Sequence, residues 1–459
     1  MTYDVAKTVG KGVFWFSGGT IFLKLLGIAS IFIVLSHLSL YEYGLVELSL
    51  SLVPLLSFFT LPGLSLTITA DMSADRGRGD LPHMYARFKG FFVYQVVLGF
   101  CAWAVIFWGA DILAKFYHTQ SILLIKAVSF LFLISPLRTM ITVLLTVDLK
   151  YFEQSLLSVG EELFKFGLIS FFILGLGMRA DGLVYATILS QFGALFIVCV
   201  PALKSYKVFS RSGTPANFSF IRYVGAHGKW GVLLSYLGNV NQKVWVWIIK
   251  AFVGTEAVGL FAVAQGLIGH TLSLVPLSRV VTPILPQYID NENKFFKLAS
   301  KSIKYQFLVN VVLAVVAAVT FPPVLAYLFP NFEPALTLFV VMLLSLLPIS
   351  FDSIFVPMFY AAKAQRDLFG AALFKMLLII ILTPLCLIWF GAIGSAYAFN
   401  LVVLLYTANR YWALKRILPR FKIRFADFIG IDENDRMVLQ QLYSPIRAVI
   451  TRLGIRGQL

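Results

Sequence analysis

Lys24 and Lys243 each stand near the middle of a long apolar stretch, and their charge is the first chemistry this sequence offers. An ammonium at the centre of a bilayer costs roughly 2.5–3.5 kcal/mol even on the lenient insertion scale, so such a residue faces a watery cavity or a partner. Two of them, one early in each half of the chain, describe a cationic path that favours an anion. Gly10-Lys11 precedes Lys24 by about the same distance as Gly228-Lys229 precedes Lys243, which suggests two related halves each giving one cation to a shared space.

Other charged residues within the apolar stretches sort by depth. Arg138 and Arg279 lie toward the cytoplasmic side of the fourth and eighth stretches, Arg279 between Pro276 and Pro283, and a planar guanidinium suits two-point contact with phosphate. Asn239, Asn241 and Gln242 beside Lys243 add the hydrogen-bonding groups that a sugar-accommodating wall needs. Lys126, Lys250 and Arg410 sit near stretch ends, and Lys165 and Lys375 have stems long enough to reach the interface, so snorkelling accounts for these five. The acids are Glu47, one turn from the outer surface and read as solvated, Glu161, Glu162 and Asp352. Asp352 is deeper, and two readings stand side by side: a structural ion pair, or a proton or sodium coupling site. Nine basic against four acidic residues argues against a pathway tuned for cations. His270 alone among the histidines falls within a stretch, where a hydrogen-bonded structural role is the default.

The elements that position these side chains are membrane spans. The chain has 459 residues, 59% hydrophobic and 13% charged, a balance that excludes a soluble globular protein. The expected fold is all-α and integral to the membrane, with about twelve spans: 13–37, 43–69, 90–110, 121–147, 156–177, 182–203, 230–252, 258–284, 305–328, 335–360, 369–390 and 392–413. Each exceeds the ~20 residues that cross ~30 Å of hydrocarbon. The net charge of +16 sits mostly in alternate loops, 27 basic residues on one side against Lys115 and Arg179 on the other. By the positive-inside rule both termini are cytoplasmic, and anionic lipid, not nucleic acid, is the partner of the basic loops.

The chain divides into an amino-terminal bundle (1–203), a basic cytoplasmic linker (204–229), a carboxy-terminal bundle (230–414) and a basic tail (415–459). Six spans in each half give both halves one orientation, so a pseudo-twofold axis along the membrane normal relates them. Leu40-Tyr-Glu-Tyr-Gly44-Leu45 after the first span resembles Gly254-Thr-Glu-Ala-Val-Gly259-Leu260 after the seventh, and the helices that follow are punctuated by Pro54 and Pro62, and by Pro276, Pro283 and Pro286. Prolines in matching places suit bent helices walling a cavity. The tail from Lys415 to Phe425 reads as an amphipathic strip in the cytoplasmic head-group region, and Met437 to Leu453 as a second such helix bent at Pro445. Cys101, Cys199 and Cys386 read as buried, inert thiols.

Enzymatic signatures are missing. Gly225-Ala-His-Gly-Lys229 has the wrong spacing for a phosphate loop, and no G-x-S-x-G elbow or H-E-x-x-H pair occurs. A transporter with no catalytic residue, metal or cofactor is the expectation.

The opening helix with its central lysine, the turn Leu40-Tyr-Glu-Tyr-Gly-Leu-Val-Glu-Leu48, the Gly63-Leu-Ser-Leu-Thr-Ile-Thr segment with Asp71 to Gly79 at the cytoplasmic edge, and the echo at Val258-Gly-Leu-Phe resemble the O-antigen-type (Wzx-type) polysaccharide flippases. These are a branch of the multidrug/oligosaccharidyl-lipid/polysaccharide exporter superfamily. The resemblance covers nearly the whole chain and rests on patterns, not on an invariant motif. It implies two six-helix bundles around a V-shaped central cavity, and movement of an undecaprenyl-diphosphate-linked oligosaccharide from the inner to the outer leaflet of the cytoplasmic membrane by alternating access. Polysaccharide polymerase machinery is a candidate partner. The alternatives are a drug or metabolite antiporter of the same fold, which favours intramembrane acids, and a lipid II flippase, from which the chain departs in having about twelve spans and no arginine-rich first helix. A membrane glycan polymerase or ligase usually carries a large outer loop; here the longest is about 111–120.

Overall fold

The computed structural model describes residues 23, 26–57, 63–117, 122–148, 150–210, 219–220, 229–273, 281, 285, 291–362 and 364–423. Lys24, Arg279, the prolines at 62, 276, 283 and 286, and the tail beyond 423 with its Met437–Leu453 segment lie outside the described residues. The described chain is helical almost throughout and contains no strand. Its helices are α1 (Leu26–His37), α2 (Leu40–Leu55), α3 (Leu64–Arg78), α4 (Leu81–Tyr117), α5 (Ile122–Ser129), α6 (Leu131–Val147), α7 (Tyr151–Ile169), α8 (Ala180–Ser210), α9 (Lys229–Phe252), α10 (Thr255–Ser273), α11 (Glu292–Leu328), α12 (Pro334–Met342), α13 (Leu346–Ala361), α14 (Gln365–Phe390) and α15 (Gly394–Ile417). Pairs α2–α3, α5–α6 and α12–α13 each make one passage, so about twelve passages form two bundles of six.

Local chemistry sets the helix ends. Ser39 and Glu42 form a reciprocal capping box at the start of α2, with the Glu42 amide donating to Ser39 Oγ at 3.2 Å and the Ser39 amide donating to Glu42 Oε2 at 2.8 Å. Gly177 and Gly391, at φ 67° and 61°, make the short turns before α8 and α15, where the left-handed backbone favours a residue without Cβ.

These turns fix the internal repeat. Leu40 and Thr255, which open α2 and α10, stand 215 positions apart, as do Gly44 and Gly259. Val147 and Ala361, Tyr151 and Gln365, Gly177 and Gly391, and Ala180 and Gly394 are all separated by 214. Helices α4 and α11 share a length of 37 residues. The 215 register carried back from the turn that precedes α2 and α10 pairs Lys24 with Asn239 and Lys243 with Ile28. The two central lysines are therefore one helical turn out of equivalence; the Gly-Lys echo that aligned them follows a different spacing.

Among the described residues, apolar length alone marks six stretches as able to cross a membrane: Leu81–Lys115, Ile122–Val147, Ala180–Lys207, Glu292–Leu328, Pro334–Ala361 and Gln365–Ile417, the last containing both α14 and α15. Their outer faces carry Val97, Phe100, Trp108, Val315, Val319 and Ile388, exposed as a lipid-facing belt requires. Cys101 and Cys199 belong to that exposed surface, and only Cys386 is buried, because α4 and α8 turn those positions away from their bundle. Helices α7, α9 and α10 are long but less apolar, since they carry Glu161, Glu162 and Lys165, Asn239 to Lys243, and Gln265 with His270.

The amino-terminal bundle runs beyond the boundary read at 203, because α8 continues to Ser210. The tail strip begins differently from the expected surface helix. Lys415 and Arg416 close the last turn of α15, and Phe421 is fully buried against Phe296, Phe355 and Tyr411. Arg420 pairs with Glu292 at 2.5 Å. The described part of the strip is thus folded onto the end of its own bundle.

Candidate functional site

The two bundles meet at a glycine crossing. A Cβ on Gly44 would overlap the Thr255 carbonyl of α10, and a Cβ on Gly259 would overlap the Leu40 carbonyl of α2. The reciprocity places the repeat axis at this crossing, at the end of the bundles opposite the basic loops. From it, two seams run along the bundle boundary.

One seam joins α2 to α9 and is polar. Lys243 Nζ meets Glu47 Oε2 at 2.7 Å, Trp247 Nε1 donates to Ser51 Oγ at 2.7 Å, and Asn239 Nδ2 donates to Ser57 Oγ at 3.1 Å. Further along, Gly63 lies against Ser235 and the Gly231 carbonyl. Lys243 is therefore not a lone cation: its side chain is 27% exposed and Glu47's 19%, so the pair is partly desolvated and partly open. Glu47, expected to be solvated near the outer surface, is instead the partner that makes Lys243 tolerable at depth. The other seam joins α1 to α10 and the α11–α12 region. It is apolar, built from Ile31, Leu35, Leu260, Val263, Leu267, Phe329 and Phe332.

Polar, part-exposed stripes run along α6 and α13, at matching places in the two bundles. On α6, Ser135, Arg138, Thr139, Thr142 and Thr146 recur at helical spacing and are neither buried nor fully exposed. Threonines cap that stripe internally, with Thr142 Oγ1 donating to the Arg138 carbonyl at 2.9 Å and Thr146 to Thr142 at 2.7 Å. Arg138 extends to Glu161 of α7, Nη2 to Oε2 at 2.6 Å. A polar helix face at membrane depth belongs to a watery cavity or a protein interior, not to lipid. On α13 the matching positions, 214 residues on, are Ile349, Asp352, Ser353, Val356 and Tyr360, again none of them buried.

The predicted residues of α9 do not share one wall, because neighbouring positions on a helix point about 100° apart. Asn239 faces α2 and Gln242 is exposed. Asn241 turns the other way: it is 4% exposed and its Nδ2 donates to the Ala372 carbonyl of α14 at 3.0 Å. Asp352 accepts from Arg410 Nη1 at 2.7 Å, the ion-pair reading of the two weighed from sequence. Arg410, read as a snorkelling residue, is buried and stacks on Tyr406. Lys375, also expected to snorkel to the interface, has its Nζ 5.1 Å from the Tyr406 ring centre. No group of His, Cys, Asp and Glu able to hold a metal occurs among the described residues.

At the basic-loop end of the amino-terminal bundle, Asp148 binds Arg76, Lys150 and Ser205, each at 2.8 Å, and Arg87 bridges Asp71 and Asp75 at 2.9 and 3.1 Å. This network clamps α3, α4, α6, α7 and α8 together outside the apolar zone.

A family model described as polysaccharide biosynthesis protein matches residues 37–332. No curated protein matches the chain. Among solved structures, the inward-facing conformation of a multidrug resistance MATE family transporter of the MOP superfamily superposes with a TM-score of 0.68 at 16% identity, over 86% of this chain and 95% of that one. The outward-facing conformation of such a transporter gives a TM-score of 0.63 at 16% identity, over 87% and 93%. A MOP superfamily transporter from Pyrococcus furiosus, described as having a binding pocket of reverse polarity, gives 0.57 at 16% identity, over 87% and 95%. At such identities the likeness shows a shared fold.

Proposed function

Since the chain belongs to the polysaccharide biosynthesis protein family and is a membrane transporter of the MOP superfamily fold, we propose that it flips a lipid-linked oligosaccharide, carried on an undecaprenyl diphosphate, from the inner to the outer leaflet of the cytoplasmic membrane. Both termini would lie in the cytoplasm, in keeping with the basic loops. The observation that carries this reading is the polar side chains kept at membrane depth, Asn239 and Lys243 in the α2–α9 seam with Gln242 exposed beside them, and Ser135 to Thr146 with Arg138 along one face of α6.

A sugar diphosphate cannot cross hydrocarbon unaided, because each unpaired polar group costs several kcal/mol and its charges cost more. Hydroxyls and amides of the lining replace the water that the sugars give up, and the cations offset the phosphate charge. The prenyl tail remains in lipid beside the boundary. The bundles rock about the Gly44–Gly259 crossing, which closes one end of the cavity as the other opens. In this scheme Lys24, Arg138, Lys243 and Arg279 attract the diphosphate. Asp352, held by Arg410, has its charge already matched, which disfavours the antiporter reading in which it takes up a free proton or sodium ion.

Reconstitution into liposomes with a fluorescent prenyl-diphosphate oligosaccharide tests the proposal. Protection of the label from a membrane-impermeant quencher should change with protein present and not without it. Protein-independent exchange, or export of a cationic dye with no lipid movement, would overturn the flippase reading.

A further inference from the structure

The repeat holds one charged site twice, with its polarity inverted. The 214 register fixed by Val147 and Ala361, Tyr151 and Gln365, and Gly177 and Gly391 superposes Arg138 on Asp352 and Glu161 on Lys375. In the amino-terminal bundle the cation stands on α6 and the acid on α7, and they close on each other at 2.6 Å. In the carboxy-terminal bundle the acid stands on α13 and the cation on α14, but Asp352 is taken by a third residue, Arg410 of α15. The position matching Arg410 in the first bundle is Phe196, which is 78% exposed. Arg410 is thus an addition made in one half alone, and it takes the ion pair with Asp352 that Lys375 would otherwise make.

The geometry gathers the surplus charge in one place. Arg410 and Lys375 both lie over the Tyr406 ring, at 4.3 and 5.1 Å from its centre. Arg410 is 6% exposed, and its Nε is buried with no acceptor. Lys375 makes no ion pair among the described residues. Two cations therefore share one carboxylate, about 15 Å along α14 from its Gln365 end. The face of a tyrosine only partly replaces a counter-ion, and a buried charge without a partner is unfavourable. Asp352 is 22% exposed on the α13 stripe, so the cluster is not sealed from its surroundings.

We propose that Lys375 and the Nε edge of Arg410 form a binding site for a phosphate oxyanion, placed in the carboxy-terminal bundle alone. An oxyanion accepts from the lysine ammonium and the free guanidinium N–H at once, which balances the cluster and fills the empty donor. Assigning that phosphate to the substrate's diphosphate rests on the flippase reading; the anion site itself does not.

Inorganic pyrophosphate is the probe, titrated by calorimetry into the full-length protein in nanodiscs of neutral lipid. Wild type should bind it saturably, Lys375→Gln at least ten-fold more weakly, and Lys375→Arg within a few-fold of wild type. Lys126→Gln, whose ammonium instead lies over Phe107, should bind as wild type does. Pyrophosphate should also shield Lys375 from acylation in the unaltered protein, read by peptide mass spectrometry, which keeps the test independent of how any variant folds. No saturable binding to wild type, equal binding to a folded Lys375→Gln, or no shielding would overturn the site. Flipping that persists in a Lys375→Gln protein unable to bind pyrophosphate would remove the substrate assignment and leave the flippase standing. Pyrophosphate binding in a protein that moves no lipid-linked sugar would do the reverse. Loss of pyrophosphate binding in phosphatidylglycerol nanodiscs would give the site to a lipid head group and overturn the substrate assignment.

Discussion

The two seams between the bundles occupy equivalent places in the repeat and are built from opposite chemistry. By the 215 register, Glu47 and Lys243 of the α2–α9 seam correspond to Ala262 and Ile28 of the α1–α10 seam, and Ser51 and Trp247 to Gly266 and Phe32. One seam is held by directional bonds that water or an anion can compete for. The other is held by packing, which lets surfaces shift by small steps and offers a ligand nothing. In the proposed cycle a symmetric fold would meet its substrate through one unsymmetric side, with Lys243, once released from Glu47, as the cation that side would expose.

The largest expected effect removes the element both seams share. Gly44→Leu or Gly259→Leu should prevent the crossing from closing and lower flipping more than ten-fold, with a cysteine placed near Leu48 becoming reactive to an impermeant thiol reagent. Normal flipping in either variant would remove the crossing from the mechanism.

Next comes the polar seam. Lys243→Gln strands Glu47 and should lower both flipping, by about ten-fold, and stability, by about 1–3 kcal/mol, less than a fully buried pair because both side chains keep some exposure. The exchanged pair Glu47→Lys with Lys243→Glu should recover stability without recovering transport, if the lysine's position serves the substrate. Recovery of both in a double-mutant cycle would reduce the pair to a structural tie.

In the apolar seam, Leu35→Ala should cost about 2–3 kcal/mol in a thermal unfolding assay, as a truncated core side chain does, while changing flipping less than three-fold. A ten-fold transport loss there would erase the distinction between the seams.

The smallest effect lies outside both. Burial pushes the Asp148 carboxyl up, but hydrogen bonds from Lys150 and Ser205 and the nearby Arg76 charge outweigh it and hold the pKa below its ordinary value. A depressed carboxylate contributes stability that is full above its unfolded pKa and is lost as pH falls through the folded one. Asp148→Asn should therefore lower the melting temperature by a few degrees at pH 7 and by less as pH drops below about 4. A deficit independent of pH would dismiss the ionic account.

The passages were legible because apolar length is a strong, local signal, and Gly44 and Gly259 were legible because each follows a tight turn. The partner of Lys243 was not, since Glu47 lies 196 positions away across the bundle boundary. The lysine pairing slipped by one turn because a two-residue Gly-Lys echo outweighed the turns that set the register. Asn239, Asn241 and Gln242 were read as one wall although helical rotation alone separates Asn241 from Asn239. Arg410 and Lys375 were dismissed by their distance from helix ends, a measure that says nothing of which neighbours enclose them.

Helices α4 and α11, with 37 residues each, are about 55 Å long and outreach the ~30 Å of hydrocarbon by roughly 25 Å. Their starts, with Arg87, Lys89, Lys294, Lys297 and Lys301, point into the basic-loop side. A bundle tilt of about 15° would sweep such an extension sideways by about 6 Å. The proposed rocking would therefore drag rows of positive charge across the head groups, with the lipid surface acting as friction on the cycle. Turnover in membranes of rising anionic content should slow accordingly, with salt restoring the speed.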